Sequence, residues 1–373
     1  MLRHSHHNPK LFIDGKEVKT FISGTFQDGG GNQLQKLTAT FSDPDLEDMA
    51  LMNKRVELYL NQGSLDGIPI FRGYINQFTP TDKDIKIIAL DPRMFLTGKG
   101  SIPIVIDEKS NFDGQTIVQF LVDYIDNTVN SNGVILSTEY LHEMDKPIYM
   151  TGIRDKLEAY SEVKKLIESK LDDETEVDRT NINSIFNYKF DIIHGGEYSG
   201  ITIRKRRPLN ENADFHYTYA DGINSLTYNE RTPPSYAIAQ SEEGEQVIFE
   251  YGNAPKGNRG LTRVKSIGNS RGEIKENLIS QVILKQQYTK EIQLSCTKGY
   301  TLGVGNIISI DVPKLNLNGN FEITSKNINI SVNNIKCTFK CNKSKTSSTV
   351  SVLQVRAIVS SLTDSVGCAG FLA

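Results

Sequence analysis

The sequence contains no tryptophan. No run of about eighteen uncharged apolar residues occurs, which excludes a helix spanning a membrane. No apolar segment follows a basic N-terminus, so no secretory signal is expected. Positive charge is not in excess: 42 basic and 45 acidic residues leave a net charge of -3, which argues against a dedicated nucleic-acid binder. No H-E-x-x-H motif and no phosphate-cradling P-loop is found, so these catalytic signatures are missing. Cysteine is sparse, with Cys296, Cys337, Cys341 and Cys368. Cys337 and Cys341 share one face of the alternating segment "KCTFKC". A tetrahedral metal site needs four ligands, and no second Cys/His pair accompanies them, so buried free thiols are expected. Apolar residues make up only 38% of the 373 residues, which suggests narrow cores or cores completed by partner chains.

What is present reads mostly as strands. "EVKTFISGTFQD" and "LQKLTATFSD" flank the Gly-rich turn "GGGNQ", a β-hairpin signal. "RVELYLN" places Val56, Leu58 and Leu60 on one face, and "GIPIFRGYINQF" and "IKIIALD" follow. Between about 101 and 180 the period changes. Ile117, Phe120, Leu121 and Ile125 fall at helical spacing, as do Leu157, Tyr160, Val163, Ile167 and Leu171. Strands return in "SIFNYKFDIIHGGEYSGITIRKRR", a hairpin through "GGEYSG", and continue through "NADFHYTYADG" and "QVIFEYGN". "SRGEIKENLISQVILKQQ" reads as an amphipathic helix with Ile274, Leu278, Val282 and Ile283 on one face. Four strand-like segments then run to Lys343.

Two of these blocks share a spacing. Val56, Phe71 and Ile85 are separated by fifteen and fourteen residues, and Ile307, Phe321 and Ile335 by fourteen and fourteen. The spacing predicts a duplicated β unit with helical material inserted between and within the copies.

The residues that carry these blocks resemble a known family. Val56–Leu60, the run Ile70–Phe71–Arg72–Gly73–Tyr74–Ile75 and the strand Ile85–Asp91 are similar to the first barrel of phage tail baseplate hub proteins. "GNIISIDVPKLNLNGNFEITSKNINISVNNIKCTFKC" resembles their second barrel. The likeness covers most of 10–343 and extends to the late-control-D family and the N-terminal part of type VI secretion spike proteins. It implies a mainly β chain with α+β insertions: two tube-protein-like antiparallel β-barrels plus a small α/β domain. The expected organisation is a first barrel at 1–100 and an α/β insertion at 101–212. A second barrel is expected from 213–256 and 288–343, with a helical insertion at 257–287 and an extension at 344–373. The resemblance also implies a homotrimer whose six barrels join a six-fold tail tube to a three-fold central spike. The implied partners are tail tube, spike, and baseplate wedge or tape-measure proteins, with DNA only as transiting cargo and no stable membrane insertion. No C-terminal β-helix and no fused lysozyme or peptidase is expected, and the extension has no counterpart in the family.

Candidate chemistry is thin, and no catalytic residue, metal or cofactor is expected. His4, His6 and His7 read as a solvated tail, and His142, His194 and His216 as scattered structural residues. The sharpest basic cluster is "RKRR", where Arg204 and Arg206 share a strand face beside Arg207. It reads either as a solvated face or as a contact for a partner's acidic patch, since phosphate contacts would retard passing DNA. The acidic runs 172–178 and 241–245 read as solvated loops. In the extension, Val352, Val355, Val359 and Leu362 are spaced for an amphipathic helix or interface segment. Docking on a partner, a disordered tail and a membrane-active segment all stay open for it. Two other functions stay open for the whole chain: an extracellular carbohydrate-binding or adhesin β protein, and a tail-associated hydrolase.

Overall fold

Alternating sequence runs become strands that fall into two matching sets. The computed structural model describes residues 9–29, 33–42, 51–60, 68–96, 114–142, 149, 188–205, 207, 212–220, 222–230, 236–240, 246–250, 261–265, 290–331, 334–343 and 356–360. The first set is β1 (Pro9–Ile13), β2 (Lys16–Glu17), β3 (Phe21–Asp28), β4 (Lys36–Phe41), β5 (Arg55–Leu60), β6 (Phe71–Pro80) and β7 (Ile85–Leu90). Asp14 and Gly15 close the β1–β2 turn with positive φ values of 51° and 79°, the D-G chemistry that a tight hairpin requires. Leu37, Ala39 and Phe41 of β4 and Val56 and Leu58 of β5 point inward, as their period of two demands. Gly73 has no substitute, because a Cβ there would run into the Leu90 carbonyl.

The α/β part begins with the short helix α1 (Arg93–Leu96) and continues with α2 (Ile117–Tyr124). Thr116 caps α2, with its hydroxyl accepting from Gln119 N and the Gln119 side chain accepting from Thr116 N. A π-helical turn, Ile125–Val129, extends it. Ile117, Phe120, Leu121 and Ile125 are all buried, as their spacing predicts. They pack with Phe190, Ile201 and Ile203 from a sheet of β8 (Leu136–Ser137), β9 (Tyr188–His194) and β10 (Ser199–Lys205). The expected helices over 157–171 and 274–283 lie outside the described residues.

The second set comprises β11 (Phe215–Tyr217) and β12 (Ile223–Glu230), then β16 (Lys290–Cys296), β17 (Ile307–Val312), β18 (Leu317–Ser331) and β19 (Asn334–Lys343). Between β12 and β16, the strands β13 (Tyr236–Gln240), β14 (Gln246–Glu250) and β15 (Leu261–Lys265) form a sheet of their own with β20 (Arg356–Ser360). Three expectations are corrected here, the first being that Leu261–Lys265, inside the expected helical insertion at 257–287, is a strand of this sheet. The segment 236–250 pairs outside the second barrel's sheet, and 356–360 is a strand, not part of an amphipathic helix. The β-branched and extended character of "RAIVS" suits an antiparallel ladder against β14, and this overrides the loose helical spacing of the valines.

The duplication is topological. The first set runs β3-β4-β7-β6-β5-β1 across the sheet, and the second runs β12-β16-β19-β18-β17-β11. In both, the same chain-order positions occupy the same places, although β1 lies antiparallel to β5 and β11 parallel to β17. Both carry a bulge at the start of the outer strand, at Ile22 and at Asn224. Both carry another in the long hairpin strand, at Asn76 and at Thr324. These bulges align Ile75 with Ile323 and Phe21 with Ile223. The spacing of Phe71 and Phe321 therefore identified the correct strands two residues out of step. The bulges also reveal a repeat in sequence: "FISGTFQD" of β3 matches "INSLTYNE" of β12 residue for residue, with Ser and Thr identical.

One buried pair anchors this architecture. Asp91, the acid that closes the strand Ile85–Asp91, accepts from Arg93 Nε (3.0 Å), Arg93 Nη2 (2.8 Å) and the Gln35 amide. Both side chains are removed from solvent. Removing one partner of such a pair strands a buried charge. Asp91→Ala is expected to lower unfolding free energy by about 3–5 kcal/mol in denaturant titration, whereas substitution of the exposed Lys83 leaves it unchanged.

Candidate assembly surfaces

The two barrels meet where β3 pairs with the far half of β18, from Lys326↔Asp28 to Ser331↔Ser23. β18 is 15 residues long, so its first half pairs with β17 and its second half with β3 along the same edge. Phe26, Ile328 and Ile330 are buried at this junction in one core that spans both barrels.

A polar seam crosses the junction. Lys326, buried opposite Asp28, donates to the Tyr300 carbonyl, and its Nζ lies 5.8 Å from the centre of the Phe26 ring. Burial pushes the Lys326 ammonium down, opposed by Cys337 and Asp28. Gln35 Nε2 donates to Asp28 Oδ2 (3.0 Å). Gln35 Oε1 meets His194 Nε2 (2.7 Å), and His194 Nδ1 meets Ser199 Oγ (2.7 Å). A neutral imidazole satisfies both contacts if Nε2 carries the proton and Nδ1 accepts from the hydroxyl. Ser199 is wholly buried, so this serine–histidine pair presents no nucleophile to solvent. The seam lines a cavity of about 380 Å³ with Leu60, Ile68 and Tyr300 on its walls.

Two arginines clamp the α/β part to the first barrel. Arg72 Nε bonds Glu57 Oε1 (2.7 Å), and its Nη2 bonds the Gly196 carbonyl (2.7 Å) in the β9–β10 turn. Arg55 Nη2 bonds Glu57 Oε1 and the Glu197 carbonyl, both at 2.8 Å. Burial raises the Glu57 carboxyl, but the hydrogen bonds and charges of Arg72 and Arg55 outweigh it and hold the carboxyl below its usual range.

The basic cluster is not gathered into one patch by the described residues. Arg204 lies in β10 opposite Lys189. Arg206 lies outside the described residues. Arg207 is committed within the chain, with Nη1 at 2.7 Å from both Asp214 carboxylate oxygens and Nη2 at 2.9 Å from the Asn212 carbonyl. Asp214 Oδ2 also accepts from Asn306 Nδ2 (2.8 Å) and Ile307 N (2.9 Å), fastening β11 to β17. Burial raises that carboxyl, and these donors more than reverse it. Of the extension residues, Val359 pairs with Val247 in the small sheet, and Val352, Val355 and Leu362 lie outside the described residues, as do His4, His6 and His7. Cys296, Cys337 and Cys341 are buried and unbridged in the second barrel.

This architecture has counterparts. A tail protein of Neisseria meningitidis MC58 superimposes with a TM-score of 0.62 at 10% identity, covering 90% of this chain and 96% of its own. The 43 kDa tail protein of prophage MuSo2 from Shewanella oneidensis gives 0.61 at 10% identity, covering 91% and 99%. The chain has the fold of a phage tail protein. An E. coli component of the type VI secretion system, described as similar to the T4 tail proteins gp27 and gp5, gives 0.54 at 9% identity, covering 89% and 76%. No protein-family model and no curated protein matches the sequence. The tail-protein fold was legible in the barrel motifs, but the seam was not, because its members are far apart in sequence.

The seam makes this tail-protein fold sensitive to acid. Burial pushes the His194 imidazole down to about 4, Arg72 and Arg93 add to this, and Asp91 and Asp191 oppose it. The unfolded chain takes up a proton near 6.5 and the folded chain only near 4. The contribution of His194 is therefore full above pH 6.5 and is lost as pH falls towards 4. Between those values the protein is expected to lose about 1–3 kcal/mol relative to a His194→Asn variant, read as the pH dependence of denaturant midpoints.

Proposed function

We propose that this chain is a structural hub protein of a phage tail baseplate or a phage-derived injection machine. Three copies form a ring that joins a six-fold tail tube to a three-fold central spike and lets DNA pass. The observation that carries this reading is the duplicated barrel: one chain holds two units of identical strand order, so three chains offer six matching positions to a six-fold tube. The absence of a basic excess suits a conduit that DNA must leave freely. The partners on this reading are the tail tube protein, the spike protein, and wedge or tape-measure proteins, in the tail baseplate of a virion assembled in the host cytoplasm. The chain's work is assembly rather than catalysis. Arg204 and Arg206, with Val352, Val355, Val359 and Leu362, are contacts to neighbouring proteins.

The test is mass in solution, by light scattering of the full chain. A trimer of this chain is expected, and it is expected to nucleate polymerisation of its cognate tube protein. A stable monomer that binds glycans overturns the reading in favour of an adhesin. Release of peptidoglycan fragments by the purified chain overturns it in favour of a tail-borne hydrolase.

A further inference from the structure

Each barrel has an outer strand and a long hairpin strand, and inside the chain the outer strand of the first, β3, is seated on the hairpin strand of the second, β18. The reciprocal pair is left open. β12, which matches β3, is the terminal strand of the long sheet and pairs only with β16 among the described residues. β6, which matches β18, pairs with β5 only through Phe71–Tyr74, and its last four residues have no neighbour on that edge among the described residues.

The residues on these open edges are exposed where their equivalents are buried. Tyr228 of β12 is 45% exposed, and its match Phe26 is 2% exposed. Phe78 of β6 is 37% exposed, and its match Lys326 is 6% exposed. The described residues thus carry one satisfied junction and the two halves of a second.

We propose that β12 of one copy pairs antiparallel with the free end of β6 in the next copy, in the register that β3 adopts on β18. Carrying the in-chain pairs across the repeat gives Glu230↔Phe78, Asn229↔Thr79, Tyr228↔Pro80 and Thr227↔Thr81. Phe78 and Tyr228 then meet diagonally across the new ladder. Among the described residues neither open edge is covered by a strand of its own chain. The contact is head-to-tail and builds a closed ring when the rotation closes. The proposal deepens the hub reading and rests on it for the number of copies.

The geometry also predicts how each pair bonds. Thr81 N donates to the Asp84 carbonyl (2.8 Å) and closes the β6–β7 hairpin. By the alternation of an antiparallel ladder, Phe78 and Pro80 turn their main chains to the open edge, and Thr79 turns away from it. Pro80 offers a carbonyl and no N–H, so the Tyr228↔Pro80 pair makes a single hydrogen bond. Asn229↔Thr79 is a pair without mutual hydrogen bonds, with Cα atoms about 4.5 Å apart, within reach of a disulfide.

The experiment uses the full chain carrying Asn229→Cys and Thr79→Cys, both exposed positions. Oxidation is expected to give linked chains on a non-reducing gel, ending at the species whose copy number equals the solution oligomer. Ser225→Cys with Thr79→Cys places the thiols four residues out of register, about 13 Å apart, and is expected to stay unlinked. A trimeric sample that does not cross-link at Asn229 and Thr79 overturns this pairing while leaving the hub reading intact. Equal linking in both variants overturns the register. A monomer at every concentration, with no linking, overturns both.

Discussion

An unpaired strand edge is the constraint on which the rest of this structure depends. Backbone donors and acceptors along an edge must be bonded to something, and a long flat edge invites the wrong partner. The chain meets this inside itself by extending β18 past its own barrel until it reaches β3. That extension fuses two narrow cores into one, because Phe26 from the first barrel and Ile328 and Ile330 from the second fill the same space. The modest apolar content of the sequence is enough because the cores are pooled.

Once the barrels are joined, the charges at the joint become positional devices. Lys326 and Asp28 are buried because β3 lies against β18, and each is paired or hydrogen-bonded there. Buried charges of this kind add little net stability, but a shifted register would pull the Lys326 ammonium away from the Asp28 carboxylate that faces it. The same logic holds the α/β part. Arg55 and Arg72 reach the carbonyls of one turn, Gly195 to Glu197, from a single carboxylate platform at Glu57. The insertion is therefore fixed at the edge of the first barrel by hydrogen bonds that fit only one placement.

Local patterns in the sequence reported local structure faithfully. The β3–β4 hairpin, the β9–β10 hairpin and the stripe Ile117, Phe120, Leu121 and Ile125 all lie where their periodicity puts them. The duplication was visible as spacing, but its residue alignment was not, since Asn76 and Thr324 are bulges that no propensity announces. A direct comparison of "FISGTFQD" with "INSLTYNE" carries the alignment without the bulges. The seam was hidden for a different reason. Gln35 and His194 are 159 residues apart, and nothing in either neighbourhood points to the other. The extension misled because valines spaced by three and four also fit alternate faces of a strand, and pairing with β14 decides between the two.

The two hairpin strands show how a duplicated edge diverges when one copy is used within the chain and the other is not. The β18 edge is apolar at Ile328 and Ile330 and continues for six pairs with β3, so it is closed as soon as the chain folds. The β6 edge breaks off at Pro80 into a turn of Thr81, Asp82, Lys83 and Asp84. A proline removes a ladder donor and a charged turn resists burial, both of which guard an open edge against indiscriminate pairing. Phe78 is the exception, an aromatic side chain left beside that guard. An edge with few hydrogen bonds and one aromatic anchor is too weak to recruit a stray strand, yet its strength multiplies when the same contact recurs around a closed ring. On the proposed ring, guarding by proline and closure by symmetry are two sides of one solution: an edge too sparse in hydrogen bonds to hold a lone strand gains strength as the same contact recurs in every copy.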